Sequence, residues 1–429
     1  MAIAGENQFS SLNGWFKELY AADAEYPVPK ASWMLKNIKF NKAETGVGNN
    51  YHQPVYLSQE HGITTAGQDA GAFTLNAAVA GVMKDATIAG MQMVLRSRMD
   101  YETAARAANS KASFGSATEL LVKNMMDSIS KRLEIMFLYG RSGIGTVNAS
   151  TVASTSFVVS AASWAPALWG GLEGAKIDVL VAALTAYDNG GAASNLQIQS
   201  IAQSTRTVTL TAAASLTINS LVFFRGAVTP GAPATYTEFM GLDAITTEAT
   251  TLFGISAATY SLFRGNSASA SGPLTATNIL NALLDSIGKG LNEDVVLICS
   301  NKAFQGLVNP LIDPKASAGS TNVQVGATKL NRSAGSVLEV GSSSAKILGS
   351  QGMIEVVPHL YCKDGEAFAF PKSALKRVGA TDVTFNLPGR GDEFFLHVPD
   401  AAGFELRAYS NQALFTPTPA KLTKITAIS

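Results

Sequence analysis

The residue types that most often carry chemistry are sparse and scattered in this chain. Its 429 residues include only four histidines and two cysteines. His52 and His61 flank Glu60 and come nearest to a metal-ligand set, but their spacing is not the H-E-x-x-H of a zinc site and no cysteine accompanies them. We therefore interpret this cluster as part of a surface loop, and we interpret His359 and His397 as structural residues.

Three short motifs that carry out catalysis or binding in other proteins are better explained here as turns. Gly288-Lys289-Gly290 ends a predicted helix, whereas a phosphate loop begins one. Gly140-Arg141-Ser142-Gly143 lacks the glycine spacing of a G-x-S-x-G nucleophile elbow. Arg390-Gly391-Asp392 follows Pro388-Gly389 and fits a turn between strands. No carboxylates cluster in apolar stretches, so the sequence predicts no catalytic, cofactor-binding or metal-binding residue and favours a protein that is not an enzyme.

The two cysteines are too few to stabilise a chain of this length through disulfides. Cys299 ends the apolar run Val295–Cys299, where it is expected to act as a small buried hydrophobic residue. Cys362 precedes a predicted turn at Lys363-Asp364-Gly365. Two free thiols are the expectation in a reducing cytoplasm, with a disulfide between Cys299 and Cys362 as the alternative.

The strongest local pattern predicts one long amphipathic helix from Ala117 to Tyr139, about 35 Å in length. Ser116 and Glu119 have the spacing of a capping box at its start, and Gly140 is placed to end it. Its apolar stripe consists of Leu121, Met125, Ile129, Leu133 and Met136. A helix of this length needs a long surface to lie on.

The segment before this helix looks like extended chain. Residues 1–50 contain no long periodic element, which indicates an arm. In residues 51–100, Val55-Tyr56-Leu57 leads outward to a tip rich in glycine and alanine, and Met91–Arg98 returns with strand-like alternation. An isolated two-stranded excursion has little to pack against, so we expect another chain to supply the packing.

Charged residues are distributed unevenly along the chain. There are 27 in residues 1–142, 10 in residues 143–276 and 27 in residues 277–429. The middle region also alternates with a period of two, as in Thr205–Thr211, where Val208 and Leu210 share one face. The other segments predicted to form strands there are Ser156–Val159, Leu196–Gln199 and Leu221–Phe224. We interpret this region as a β-rich domain inserted between two parts of a mixed α/β body.

The last third of the chain predicts a helix, a buried strand and a second helix. Thr277 is placed to cap the first helix, which would close at Gly288. Val295–Cys299 is an unbroken apolar strand, which is typical of a sheet covered on both faces. Ser300 is placed to cap the second helix, up to Pro310. Further strands are predicted at Met353–Val357, Glu366–Phe370, Val383–Leu387, Phe394–Val398 and Phe404–Tyr409.

The composition limits the class of protein. Lys and Arg number 32 and so do Asp and Glu, and only 15% of the residues are charged, so the chain has no basic excess for binding a polyanion by itself. An apolar content of 47% excludes a disordered chain. No apolar run reaches membrane-spanning length and no export signal is visible, so we expect a soluble protein that stays where it is made. Its neutral surface fits either a β-rich monomer or copies that contact one another.

The order of these elements resembles the major capsid protein of tailed bacteriophages. The resemblance is carried by the excursion of residues 51–99, the helix Ser116–Tyr139, the unit Thr277–Leu307 and the closing segment 352–412. It implies an α+β, Hong Kong 97-like (Johnson) fold. The domains it implies are an N-terminal arm at 1–50, an extended loop at 51–100, a peripheral domain at 101–144 with a spine helix at 116–139, a β-rich insertion at 145–275, a central (axial) domain with returning peripheral strands at 276–400, and a C-terminal peripheral segment at 401–429.

The resemblance also implies a function. The chain would assemble into hexamers and pentamers of an icosahedral head, in the host bacterial cytoplasm, and would reside in the virion. It would enclose double-stranded DNA without sequence-specific contacts and would have a scaffolding protein, a portal and a decoration protein as partners. One alternative is an encapsulin-like nanocompartment with the same fold around an enzyme cargo. The other is a β-rich carbohydrate-binding enzyme, which would remain monomeric and hydrolyse a glycan.

Overall fold

A computed structural model describes residues 30–42, 50–69, 71–100, 102, 117–312, 345–350, 352–386, 395–397 and 403–429. Within these ranges the α-helices are α1 (Trp33–Asn37), α2 (Ala117–Tyr139), α3 (Pro166–Trp169), α4 (Leu242–Thr247), α5 (Ala276–Gly288) and α6 (Asn301–Ile312). The predicted turn at Arg390-Gly391-Asp392 and the first 29 residues of the predicted arm lie outside the described residues.

Strands dominate the described part of the chain. In chain order they are β1 (Phe40–Lys42), β2 (Tyr51–Ser58), β3 (Val82–Ile88), β4 (Met91–Asp100), β5 (Gly145–Thr146), β6 (Thr151–Val158), β7 (Lys176–Leu180), β8 (Leu196–Ala202), β9 (Thr207–Leu216), β10 (Leu221–Phe224), β11 (Val228–Thr229), β12 (Thr235–Tyr236), β13 (Thr251–Leu252), β14 (Ile255–Ser256), β15 (Asn266–Gly272), β16 (Val295–Cys299), β17 (Ala345–Leu348), β18 (Met353–Pro358), β19 (Ala367–Phe370), β20 (Lys376–Thr384), β21 (Phe395–His397), β22 (Gly403–Phe415) and β23 (Thr423–Ile428).

The central sheet has six strands in the order β15-β23-β19-β16-β18-β17. Strand β16 pairs in parallel with β18 and antiparallel with β19. Every residue of β16 is buried: Val296 and Ile298 join one hydrophobic cluster, while Leu297 and Cys299 join a second cluster on the opposite face. The predicted strand covered on both faces is therefore confirmed.

Helices α5 and α6 flank this strand, as predicted, but the cap of the first helix differs. The side chain of Thr275, two residues before the predicted Thr277, accepts a hydrogen bond from the Asn278 amide at 3.2 Å. Leu274 is fully buried just before the cap, and this burial fixes where the chain enters the helix. Ser300 caps α6 as predicted, accepting from the Ala303 amide at 3.1 Å.

A second sheet has the order β1-β20-β22-β21, and β4 also pairs with β22. The register of β4 with β22 runs from Met91 opposite Gln412 to Asp100 opposite Gly403. The prediction that Met91–Arg98 returns from the extended excursion was therefore wrong. Alternating burial is present along β4, but alternation marks a half-buried strand and carries no information about its partner.

Strand β20 also departs from its prediction. It covers Lys376–Thr384, so the predicted strand Val383–Leu387 was wrong at residues 385 and 386, and Leu387 lies outside the described residues. The apolar pattern is broken because Arg377 is buried there, where its guanidinium donates to Gln412 Oε1 at 2.7 and 3.0 Å. Sequence periodicity does not reveal a strand whose core-facing residue is a paired cation.

The low-charge middle of the chain forms a third sheet with the order β5-β10-β7-β8-β9-β6. The predicted alternation is confirmed in β9, where Val208 and Leu210 are buried. Strand β10 differs, because Val222, Phe223 and Phe224 are all buried: Val222 and Phe224 pack into the main cluster and Phe223 into a separate small one.

The central sheet takes strands from two segments that the sequence placed elsewhere. Strand β15, which lies before the predicted end of the insertion at residue 275, pairs in parallel with β23. Strand β23 belongs to the predicted C-terminal peripheral segment. The Asn266 amide helps to hold the two segments together by donating to Ala420 O at 2.6 Å and Leu422 O at 3.2 Å.

Helix α2, hereafter the spine helix, has the predicted bounds Ala117–Tyr139 and buries its predicted stripe from Met125 to Met136. The predicted capping box at Ser116 lies outside the described residues. Gly140 follows the helix, but Arg141 takes the left-handed conformation with φ of 69°. Gly140 is required for a different reason, since a Cβ there would lie 2.3 Å from the carbonyl oxygen of Phe239.

No helix in the described ranges is both long and apolar enough to span a membrane.

Candidate assembly surfaces

Strands β2 and β3 form a two-stranded hairpin that stands apart from the three large sheets. The pairing runs from Tyr51 opposite Ile88 to Ser58 opposite Val82, and the described residues of the connection 59–81 form no helix or strand. We call residues 51–88 the hairpin and residues 59–81 its tip. The two-stranded excursion predicted for residues 51–100 thus exists but ends near Ile88.

The hairpin exposes large apolar side chains to an unusual extent. Ile63 is 76% exposed and Leu75 is 73% exposed, although both are aliphatic. The other large apolar side chains exposed along the hairpin are Tyr56, Phe73, Val79 and Met83. Residues 51–90 contain only four charged side chains. An apolar surface with so little charge marks a site of contact with another macromolecule.

The base of the hairpin is fixed by the rest of the chain. Ala86 is fully buried and Leu57 nearly so. The Thr87 amide donates to Phe253 O at 2.9 Å, and the ring of Tyr51 packs edge-on against Phe415 with centroids 5.7 Å apart. The tip therefore projects from an anchored base.

A groove of about 720 Å³ lies between residues 30–36, the spine helix and the loop at 171–172. Lys30 forms an ion pair with Asp127 across it at 2.6 Å. Lys131 donates to Gly170 O at 2.5 Å, and its burial lowers the pKa of its ammonium group to about 8, although nearby Glu173 raises it. Lys30 thus holds the arm against the spine helix, and Lys131 holds the middle region against it.

An ion pair between a half-buried arginine and a buried glutamate joins the spine helix to the middle region. Arg132 donates to Glu238 Oε1 at 2.7 Å, and its guanidinium lies 3.3 Å from the centre of the Phe224 ring. Burial lowers the pKa of Arg132 to about 10, although Glu238 raises it. Burial likewise raises the pKa of Glu238, although Arg132 lowers it.

A second buried carboxylate fixes the described end of the arm to the spine helix. Glu134 accepts hydrogen bonds from the amides of Met34 at 3.2 Å and Leu35 at 2.9 Å. His359 lies beside it, with Nε2 at 3.5 Å from Glu134 Oε2 and Nδ1 accepting from the Tyr361 amide at 3.2 Å. His359 is thus a buried structural residue, as interpreted. Sequence reasoning missed Glu134, for which the signal is a carboxylate inside an apolar helical stretch.

The remaining histidines do not form a metal site. His52 Nδ1 lies 2.5 Å from Asp85 Oδ2 on the neighbouring strand, whereas His61 and Glu60 are exposed in the tip. No group of three or more potential metal ligands occurs among the residues that the structure describes. The structure places His397 in β21 but does not describe its side chain.

Both cysteines are buried free thiols in this structure. Burial raises the pKa of Cys299 to about 12 and also raises that of Cys362. The hydroxyl of Tyr139 at the end of the spine helix lies 3.7 Å from Cys362 Sγ. Neither thiol has the exposed, electropositive surroundings of a reactive cysteine.

Comparison with known proteins identifies the fold. No family model and no curated protein matches this sequence. A chain of the cyanophage A-1(L) capsid asymmetric unit matches with a TM-score of 0.55 and 12% identity, over 98% of this chain and 99% of the other. A chain from the capsid of an empty GTA particle matches with a TM-score of 0.52 and 8% identity, over 99% of both chains. One from a native GTA particle gives 0.51 and 9%, over 99% and 100%.

These matches extend over nearly the whole of both chains. Because the sequence identities are this low, the fold is the only property that these matches show the chain to share with those capsid proteins. The chain has the mixed α and β, Hong Kong 97-like fold of phage capsid proteins.

Proposed function

We propose that this chain is a major capsid protein that self-assembles into hexamers and pentamers of an icosahedral phage head enclosing double-stranded DNA. The observation that carries the proposal is the apolar hairpin tip, which projects from a subunit that has a capsid fold. A monomer gains nothing from such a surface. A shell subunit buries it against a neighbour in every copy.

The energetics favour burial of the tip on assembly. Fully burying one large apolar side chain contributes about 1.5–3 kcal/mol. Four such side chains in the tip, those of Ile63, Phe73, Leu75 and Val79, are at least half exposed. Their burial would supply several kcal/mol per subunit contact, and symmetry repeats that contact around the shell. Many modest contacts of this kind can hold a closed particle together.

The division of the subunit follows from this proposal. The extended loop is residues 50–90, and the peripheral domain combines the spine helix with the sheet of β1, β4, β20, β21 and β22. The insertion domain is the third sheet and its loops, from residue 145 to about residue 265. The axial domain is the central sheet with α5 and α6. This division moves three strands of the sequence-based scheme: β4 leaves the loop, β15 leaves the insertion and β23 leaves the C-terminal peripheral segment.

The same proposal sets the location and the partners. The protein would reside in the virion after assembly in the host cytoplasm, with a scaffolding protein, a portal and a decoration protein as partners. It would act as a structural protein, with no catalytic role. The balance of 32 basic and 32 acidic residues suits a wall that does not take over the counterions of packaged DNA.

Replacement of the tip tests the proposal. Residues 59–81 are replaced by Asn-Gly, which closes a hairpin between Ser58 and Val82. The wild-type chain, expressed alone or with a scaffolding protein, should form closed shells in negative-stain electron microscopy. The shortened chain should form none, while keeping the circular dichroism spectrum and unfolding midpoint of the unassembled subunit.

A matched control and two further outcomes complete this experiment. Val152 is 86% exposed at the surface of the third sheet, so Val152→Ser removes an exposed apolar group outside the hairpin and should leave shells intact. Closed shells from the shortened chain would refute the role of the tip. Small shells filled with protein would favour a nanocompartment, and a wild-type monomer that hydrolyses a glycan would favour the carbohydrate-binding enzyme.

A further inference from the structure

A buried lysine lies between two carboxylates where α4, β19 and β23 meet. Lys424, in β23, is 7% exposed, and so is Asp243 in the first turn of α4. The Lys424 ammonium contacts Asp243 Oδ1 and lies 2.8 Å from Glu366 Oε1. Glu366 directly precedes β19. Three segments that are far apart in the sequence thus place two carboxyl groups in contact with one amine.

The backbone holds this lysine firmly in place. Lys424 is opposite Ser267 in β15 and opposite Phe368 in β19, so hydrogen-bonded neighbours lie on both sides of its strand. Its neighbours Thr423 and Ile425 are fully buried on the other face. The position of the Lys424 side chain is therefore set by the centre of a sheet and not by a mobile loop.

The charges of this cluster do not balance. Two carboxylates face one ammonium, and Glu366 Oε2 is buried with no hydrogen-bond partner among the described residues. A buried ion pair recovers only part of the desolvation cost of its two charges. Converting Lys424 and Asp243 from an ion pair into a neutral amide would remove both charges from the protein interior.

We propose that Lys424 and Asp243 condense into an intrachain isopeptide bond, with Glu366 relaying protons. The Lys424 ammonium gives a proton to Glu366, and the free amine then attacks Cγ of Asp243. A C–N bond forms, a C–O bond of the carboxyl group breaks, and the departing oxygen leaves as water with two of the protons that Nζ carried. An ammonium and a carboxylate thus become an amide and one water, with no oxidant, reductant or cofactor.

Proximity is what makes this reaction feasible in a folded chain. Reacting groups held in productive contact behave as if present at about 10⁵–10⁸ M. The step that limits the rate is proton removal from nitrogen: although burial disfavours the ammonium form, Asp243 and Glu366 raise the pKa of Lys424 above its ordinary value. The second carboxylate is needed for this reason, since it accepts the proton while Asp243 serves as the electrophile.

The chain contains a matched site that lacks this second carboxylate. Lys289 Nζ lies 2.5 Å from Asn266 Oδ1, and the amide of Asn266 donates to Ser286 Oγ at 2.8 Å. No described carboxylate forms an ion pair with Lys289. A lysine there contacts a carboxamide without a proton acceptor beside it, so we expect no bond at this site.

Mass spectrometry of the purified wild-type chain tests the proposal without a variant. After incubation of the folded protein to constant mass, the intact chain should be lighter by one water than its sequence requires. A protease digest should contain one branched peptide that joins the segments of Asp243 and Lys424. An unlinked chain with unmodified Asp243 and Lys424 peptides would overturn the proposal.

Three variants separate the chemistry from folding. Lys424→Arg keeps the positive charge but cannot form the bond, so its intact mass should equal the mass that its own sequence requires, with no loss of water. Glu366→Gln keeps the shape of the site but should form the bond about 100-fold more slowly, the usual effect of losing a general acid–base group. Lys289→Arg should remain lighter by one water, like the wild type. Unchanged bond formation in Glu366→Gln would overturn the proton-relay role.

The inference is independent of the proposed assembly. A linked chain that forms no shell would support the isopeptide bond and refute the capsid function, and shells built from unlinked chains would do the reverse. A linked chain should also retain a closed loop between residues 243 and 424 in denaturant, visible as faster migration than Lys424→Arg on a denaturing gel.

Discussion

The hairpin and the spine helix are two long elements of the described chain, and they differ in where their apolar side chains lie. From Met125 to Tyr139 the spine helix buries a stripe that widens until its last turn is buried on every side. The hairpin buries Leu57 and Ala86 at its base and exposes Ile63 and Leu75 at its tip. The helix is completed within one chain, whereas the hairpin needs a second surface.

The difference follows from the layers available to each element. The spine helix lies against β4, β22, α1 and α4, so side chains on several of its faces meet a neighbour. The hairpin has two strands and two faces, and the described chain covers only its base. Two strands without a covering layer are marginally stable in water. Substitutions in the helix should therefore act on folding, and substitutions in the tip should act on assembly.

Leu133→Asp tests the prediction that substitutions in the spine helix act on folding. Leu133 is 1% exposed, so the variant loses a packed side chain and buries an unpaired carboxylate. We expect a loss of about 5 kcal/mol in the free energy of unfolding, comparable to the whole stability of many domains. Urea unfolding of the unassembled subunit measures the loss, and electron microscopy should show no shells.

The control for Leu133→Asp is Lys123→Asp, at an exposed position of the same helix. We expect it to change the free energy of unfolding by less than about 0.5 kcal/mol. Normal shells from Leu133→Asp would contradict the role of the spine helix as a buried element.

Arg132→Met should destabilise the subunit by about 3 kcal/mol near neutral pH, because Glu238 then stays buried without its partner. Burial already holds the pKa of Glu238 above 4.5, and the loss of Arg132 raises it further. An acid whose pKa is higher in the folded state costs stability as the pH rises through that window. The difference in the free energy of unfolding between wild type and variant should therefore increase from acid to neutral pH. Urea unfolding at each pH measures this difference.

Arg264→Met is the matched control for this pH dependence, since Arg264 is exposed. Its stability should follow that of the wild type at every pH. A gap that narrows as the pH rises would show that Arg132 does not offset the charge of Glu238.

Glu134→Ala should loosen the described end of the arm. The variant leaves the amides of Met34 and Leu35 without their acceptor in a buried setting, which costs about 1–3 kcal/mol for an unsatisfied group. Hydrogen exchange should speed up at residues 34 and 35, while exchange in β16 changes little. Glu60→Ala, at an exposed position of the tip, serves as the control, and equal exchange rates in the two variants would argue against this anchor.

The double substitution Ile63→Asp with Leu75→Asp should have the smallest effect on folding. Both side chains are already in water, so the free energy of unfolding should change by less than about 0.5 kcal/mol. Assembly should nevertheless fail, because two charges would be buried at the subunit contact. Light scattering and electron microscopy measure assembly, with Val152→Asp as the control. Lower stability of the unassembled double variant would show that the tip packs within its own chain.

Local patterns predicted the elements whose signal lies within a few residues. The bounds of the spine helix, the alternation of β9 and the unbroken burial of β16 are all confirmed. Side-chain pairs between distant segments were not predictable. Glu134 with His359 and Arg132 with Glu238 join residues more than 100 positions apart, and nothing in the local sequence of either partner points to the other.

The pairing partners of the strands were also not predicted from the sequence. Strand β4 was assigned to the excursion because it follows it in the chain, yet it pairs with β22 more than 300 residues later. Alternation specifies which face of a strand is buried, and many strands offer a compatible face. The choice among them depends on which pairing lets the whole set of layers close.

By itself the sequence determined the helix–strand–helix unit, the low-charge middle region and the sparse distribution of reactive side chains, because each depends on composition or on short-range periodicity. Only the tertiary structure decided that β15 and β23 complete the central sheet, and that Lys424 meets Asp243 and Glu366 there. The physical reason is that sheet order and buried charge pairs are long-range contacts, selected by the packing of the whole chain. The exposure of the hairpin tip also depends on long-range packing, since a side chain is exposed only if no other segment of the folded chain covers it.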